Sequence, residues 1–185
     1  RARNLLRHVW TAAGFQAPDT RWIDEALKQL ATADALSELR VATAEAALHV
    51  YRGELYLVRQ SSSPPAEPLS WSGQDILPWA GGCVRFRVAM GHGIGRGHLD
   101  GAEVVLKARQ GGERLQPDAR RPRRSLRNLL QEAAVPPWER QSLPMLWVNG
   151  QLAWVGGIGC DTAFACPPGE EGVLPLWESA TVDYC

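Results

Sequence analysis

Along the first thirty residues, apolar side chains recur at i, i+3 and i+4. Leu5, Leu6, Val9, Trp10 and Ala13 fall on one helical face, and Gly14 is a natural stop. Pro18-Asp19-Thr20 offers a cap for a second helix, whose apolar stripe is Trp22, Ile23, Ala26, Leu27 and Leu30. Neither helix is long enough to be stable alone, so the pattern predicts that they pack on each other or on another body. From Ala47 the period becomes strand-like. Leu48, Val50 and Tyr51, then Leu55 to Val58, flank Arg52-Gly53-Glu54, which reads as a β-hairpin.

A Ser/Pro run, Ser61-Ser62-Ser63-Pro64-Pro65, has the composition of a linker or exposed loop and predicts a domain boundary. Beyond it Val84 to Ala89 alternates apolar residues with arginine, as a half-buried strand does, and Glu103 to Arg109 gives another strand. Ser125 is a good N-cap for a helix with the stripe Leu126, Leu129, Leu130 and Ala133, ended by Pro136-Pro137. Strands at Met145 to Val148 and Leu152 to Val155 are joined by the hairpin dipeptide Asn149-Gly150. The stretch after Pro167 is rich in Gly, Glu and Pro and reads as loose at its end. The expected fold class is therefore α+β: a small helical domain with a β-hairpin (residues 1–60), followed by a small mixed α/β domain (residues 61–185).

Composition changes this picture little. The 185 residues are 45% hydrophobic and 22% charged, which suits a globular core. Twenty basic residues balance twenty acidic ones, so net charge announces no partner. No apolar run is long enough for a membrane helix and neither end resembles a signal peptide, so a soluble cytoplasmic protein with no membrane partner is expected. The chain opens on Arg1 and directly with a helical pattern, which suggests a piece excised from a longer protein. Cys83, Cys160, Cys166 and Cys185 form no CxxC pair and no zinc spacing, so reduced thiols and no metal are expected, although Cys160 and Cys166 could bridge if oxidised.

The distribution of charge is more informative than its sum. Residues 109–127 read RQGGERLQPDARRPRRSLR, where Gly111-Gly112 permits a tight turn and Arg120, Arg121, Arg123, Arg124 and Arg127 crowd the start of the Ser125 helix. A helix start carries unpaired N–H groups and partial positive charge, so guanidinium groups there make sense if an anion neutralises them. Arginine can also hold a phosphate through two donors at once. From charge alone a solvated basic loop, or a non-catalytic protein-interaction module using a basic anion-binding surface, stays open beside nucleic-acid binding.

The run from Gly111 to Gly159, GGERLQP followed by RPRRSLRNLLQEAAVPPWERQSLPMLWVNGQLAWVGGIG, resembles the C-terminal domain of bacterial tRNA(Ile)-lysidine synthetases. The shared pattern is a Gly-Gly-Glu-Arg turn, a basic stretch, a helix, and Pro-Pro-Trp-x-Arg before a β-hairpin. Arg127 stands where that family usually has Lys, and Ala134 where it usually has Gly; Ala adopts positive φ less cheaply. Leu5-Leu6-Arg7 with Gly14-Phe15, the Trp22 helix, and Tyr51 to Leu57 resemble the same family's middle, substrate-binding domain.

The resemblance implies a part in a tRNA-modifying, ATP-dependent C–N ligase. ATP activates C2 of the wobble cytidine of tRNA(Ile), lysine attacks, and codon reading changes from AUG to AUA. The adenylation site of such enzymes carries Ser-Gly-Gly-x-Asp-Ser. Here Ser72-Gly73-Gln74-Asp75 lacks the second glycine, the final serine and a following helix pattern. The catalytic domain is thus expected ahead of Arg1, with ATP and lysine as its own ligands; no cofactor and no catalytic residue are expected here, and these residues alone are expected to be inactive. Their partners would be tRNA(Ile), held along its body and acceptor stem, and the N-terminal catalytic domain. The tRNA-contacting candidates are Arg120, Arg121, Arg123, Arg124 and Arg127, with Arg109 and Arg114 behind them, since arginine suits the backbone and shallow groove of double-helical RNA. Trp138 is expected to pack beneath the Pro-Pro turn. The Gly91-to-His98 run reads as a flexible hairpin connection rather than a metal site. Pairing of two chains through the helical part, a homodimer, is a further alternative.

Overall fold

The structure, a computed structural model, describes residues 1–32, 39–60 and 63–179. The chain divides into two compact units near residue 61.

In the first unit α1 (Ala2–Ala12) and α2 (Thr20–Thr32) precede an antiparallel meander of β1 (Leu39–Ala42), β2 (Ala46–Tyr51) and β3 (Glu54–Arg59). Gly14 ends α1 with φ 78°, letting Phe15 N–H reach back to the Trp10 carbonyl at 3.1 Å. The Asp19 carboxylate caps α2 by accepting the Trp22 N–H at 2.7 Å. Leu6, Trp10, Phe15, Ile23, Leu48 and Leu57 form the core, where Trp22 meets Trp10 edge-on at 4.9 Å. Leu5 departs from the predicted stripe: it is 63% exposed, because the buried seam runs through Leu6 and Trp10. The β2–β3 turn is the predicted hairpin, with Arg52 and Gly53 both at positive φ (53° and 82°). β1 has no counterpart in the apolar periodicity of the sequence.

The second unit stacks two antiparallel sheets. One contains β4 (Leu69–Ser70), β8 (Val104–Lys107), β11 (Met145–Val148), β12 (Gln151–Val155) and β13 (Gly159–Cys160), in the spatial order β13-β12-β11-β8-β4. The other has the order β5-β6-β14-β7, from β5 (Ile76–Trp79), β6 (Gly82–Met90), β7 (Ile94–Gly95) and β14 (Glu171–Glu178). Leu77, Val84 and Phe86 of one sheet meet Val104, Leu106 and Leu146 of the other in a shared core. A second core lies under α4 (Leu126–Glu132), where Leu126, Leu129 and Leu130 pack with Leu115, Leu143, Met145 and Val155. Ala133, read as the fourth member of that stripe, is exposed at the C-cap. Ala134 follows at φ 54°, and a proline-started turn, α5 (Pro137–Arg140), comes next.

Two segments carry strands that the sequence pattern does not predict, and the end of the chain, expected to be loose, lies outside the described residues from 180 on. The stretch after Pro167 supplies β14, which pairs with β6 along its whole length from Glu171↔Met90 to Glu178↔Cys83. The glycine/histidine run carries β7 and the short α3 (Arg96–Leu99). Gly93 is required there: a Cβ would lie 2.2 Å from the Val173 carbonyl oxygen. His92 contacts the Met90 carbonyl oxygen at 2.8 Å, and His98 meets Phe164 edge-on. Among the described residues no three His, Cys, Asp or Glu side chains gather as a metal site. Residues 71–75 lead into strand β5, not a helix, so the faint phosphate-loop likeness has no structural context. Cys83, Cys160 and Cys166 are free thiols, and burial pushes Cys160 up to about 11. Cys185 lies outside the described residues. No helix among them is long and apolar enough to cross a membrane.

Candidate nucleic-acid interface

The arginine-rich segment begins where β8 ends. Gly111 and Gly112, at φ 100° and 84°, turn the chain, and the Glu113 carboxylate closes the turn by accepting the Gln110 and Gly111 N–H groups at 2.6 and 2.7 Å. Burial works to raise the Glu113 pKa, but those N–H groups and the Arg109 charge outweigh it, so the carboxyl sits below its ordinary value. The turn delivers β9 (Arg114–Leu115), which pairs with β10 (Arg124–Ser125) in the register Arg124↔Leu115. Residues 116–123 are therefore an excursion closed by a two-rung ladder, with fully buried Leu115 as its anchor.

Internal bonds hold that excursion. Gln116 donates its side-chain amide to the Arg121 carbonyl at 2.8 Å, and Asp118 accepts the Arg120 N–H at 2.9 Å. The Arg120 N–H is the leading reason that Asp118 is held below the usual carboxylate range. Arg114 donates to the Arg123 carbonyl at 2.9 Å. Arg123 forms a two-pronged pair with Asp161, at 2.8 and 2.9 Å, and that carboxylate is 0% exposed. Arg124 forms a second fork with Glu132 on α4, at 2.5 and 2.6 Å. Hydrogen bonding to Arg124 is the leading reason that Glu132 sits below the ordinary glutamate value.

The seven candidate arginines thus fall into two groups. Arg109, Arg120, Arg123 and Arg124 each have an acidic partner, in Glu113, Asp118, Asp161 and Glu132. Arg109 is also drawn inward, 3.6 Å from Glu113, an ion-pair distance too long for a hydrogen bond. Arg114, Arg121 and Arg127 are exposed and have no ion-paired acid among the described residues. The surface keeps an excess of three positive charges in a chain that is neutral overall.

The helix start differs from expectation. α4 is a seven-residue helix, its Asn128 N–H is capped by the Ser125 hydroxyl at 3.4 Å, and its Leu126 N–H is taken by the Glu113 carbonyl at 2.8 Å. With those donors satisfied from within, anion binding falls to the guanidinium groups, not to the helix terminus. The partner acids went unread in the sequence: Asp161 lies thirty-eight residues from Arg123, and Glu132 looks like an ordinary helix-surface residue. Trp138 is half-buried at α5.

Comparison with known proteins covers both units. The model for the TilS substrate binding domain matches residues 1–56, and that for the TilS substrate C-terminal domain matches residues 104–177, which include the arginine segment. Among curated relatives, a tRNA(Ile)-lysidine synthase of Aromatoleum aromaticum is 43% identical over 96% of this chain and 42% of its own length. Those of Nitrosomonas europaea and Azoarcus sp. are 35% and 38% identical, over 99% and 98% of this chain and 41% and 39% of their own lengths. The chain spans about two fifths of the relatives it matches. With both substrate domains present and in this order, the chain belongs to the tRNA(Ile)-lysidine synthase family.

Proposed function

We propose that residues 1–179 form the tRNA-gripping part of a tRNA(Ile)-lysidine synthase. In the resembled family, ATP-dependent attachment of lysine to C2 of the wobble cytidine belongs to a separate pyrophosphatase-loop domain, for which these two units hold the tRNA. One observation carries the reading: the excess positive charge sits on a shaped, internally bonded surface rather than on a loose tail. An enzyme acting on one anticodon base gains selectivity from contacts elsewhere on the tRNA. A row of exposed guanidinium groups suits the phosphate backbone of double-helical RNA. Arg121, Arg127 and Arg114 are the foremost contact residues, joined by Arg120 and Arg124; Arg109 faces inward and contributes through the turn.

The test is binding of unmodified tRNA(Ile) transcript by this chain across a salt series. Affinity is expected to fall steeply with salt, and Arg121→Ala and Arg127→Ala are each expected to make the logarithmic slope shallower by about one. Equal affinity for tRNA(Ile) and an unrelated polyanion such as heparin would sink the proposal. Capture of a protein instead of RNA by the same surface would favour an interaction module.

A further inference from the structure

We infer that two neighbouring arginines of this surface have opposite roles: Arg123 is a positioning residue locked by Asp161, whereas Arg124 is an exchangeable cation that leaves Glu132 for an RNA phosphate. The inference rests on the tRNA-binding reading above and deepens it.

The Asp161 carboxylate is buried with every approach used. One oxygen accepts Arg123 Nη2 at 2.9 Å and the Ala163 N–H at 3.0 Å. The other accepts Arg123 Nη1 at 2.8 Å and the Gln116 N–H at 2.9 Å. Gln116 opens the excursion and Arg123 closes it, so this carboxylate fastens both ends to the turn that follows β13. Gln116 also holds the Arg121 carbonyl, which carries the constraint to the residues that face solvent. A phosphate drawing Arg123 away would leave a buried, unpaired carboxylate, an expensive state. Arg123 therefore stays where it is, its charge answered from below.

Glu132 is unlike Asp161. Its side chain is 52% exposed, and both oxygens are used by Arg124 alone. Arg124 itself is half-buried, 28% exposed, but a pair whose acid faces water is worth little net, because water and salt solvate the freed carboxylate. Arg124 can trade one two-pronged oxyanion for another at small cost, and a phosphate offers the same geometry.

Asp161→Asn and Glu132→Gln remove the same unit of negative charge from the same surface, so a purely electrostatic account has both variants binding tRNA more tightly. The two roles inferred here give opposite signs, measured with unmodified tRNA(Ile) transcript and the 1–185 chain. Glu132→Gln is expected to bind about threefold more tightly, as a surface pair no longer competes. Asp161→Asn is expected to bind about tenfold more weakly, as the excursion loses its fastening. Salt dependence separates positioning from contact. Arg123→Ala weakens binding but leaves the slope unchanged, whereas Arg124→Ala lowers the slope by about one. Circular dichroism verifies folding of each variant. Should Asp161→Asn not fold, Arg123→Lys replaces it, keeping the charge but not the fork, and weaker binding at unchanged slope is the supporting result. Tighter binding by both acid variants, or a slope reduced by Arg123→Ala or by Arg123→Lys, overturns the inference. Wild-type protein without salt-dependent tRNA affinity overturns the binding reading itself.

Discussion

The two domains bury ionisable groups in opposite ways. In the first the buried titratable side chain is His49 on β2, 6% exposed, whose pKa burial and the nearby Arg40 charge lower from 6.5 to about 4. Burial first, and the Arg40 charge second, oppose its protonation. In the second the buried groups are Glu113 and Asp161, each surrounded by backbone N–H donors and an arginine. Among the described residues the first domain buries no carboxylate, whereas in the second domain buried carboxylates fasten the basic surface. Among the described residues the ties to buried carboxylates therefore belong to the second domain, while the Arg3–Asp24 pair of the first is exposed.

Acid should separate the two. Unfolded chain takes a proton on His49 near pH 6.5, while the folded domain resists until about pH 4. The first domain therefore keeps its full stability above pH 6.5, loses on the order of 3 kcal/mol as pH falls from 6.5 to 4, and levels off below. Glu113 has the same sign but a lower window: its folded value is below the ordinary 4.5, so its contribution is fully present above 4.5 and lost only as pH falls through that lower value. Amide protection factors at pH 5, corrected for the slower intrinsic exchange, are expected to fall in β2 and β3 while β8, β11 and β12 stay protected. Simultaneous loss in both domains, or an acid response that persists in His49→Val, would break the contrast.

A smaller effect probes the charged side of the comparison. Glu113→Ala leaves the Gln110 and Gly111 N–H groups without their acceptor and Arg109 without its partner. About 2 kcal/mol of destabilisation is expected, read by chemical denaturation. No measurable loss would mean that the buried carboxylate is not a fastening point.

Backbone strain gives the last two tests. Ala134 holds φ 54° after α4, so Ala134→Gly is expected to stabilise the second domain by about 1 kcal/mol. Each domain also has a two-residue hairpin with positive φ at both positions. Asn149-Gly150 fits its turn, but Arg52-Gly53 places a long side chain where asparagine is better tolerated. Arg52→Asn is expected to add roughly 0.5 kcal/mol to the first domain. Thermal melts that drop for either variant would show that these residues are held by contacts stronger than their strain.

Much of this architecture was legible in the sequence because it is local. Helical periodicity located α1, α2 and α4, and the Arg52-Gly53 and Asn149-Gly150 turns located two hairpins. β14 was not legible because its Pro175 argues against a strand; the structure accommodates it because β7 pairs only with Gly172 and Val173 and leaves the edge open at that proline. β1 spans four residues, too few for alternation to register. In the candidate site the arginines were plain and their division was not. Which guanidinium is answered by a buried acid depends on contacts such as Arg123 with Asp161, which only the folded chain brings together.

The fastened excursion at residues 116–123 also bears on kinetics. A loop already ordered by Asp161, Gln116 and the β9–β10 ladder has no rearrangement left to make when RNA arrives. On the proposed tRNA-binding role, association would be governed by diffusion and electrostatic steering, and would accelerate as salt falls. Cognate and non-cognate tRNAs would reach this surface at similar rates and differ mainly in dwell time. Discrimination at this surface would then be a matter of how long a tRNA stays.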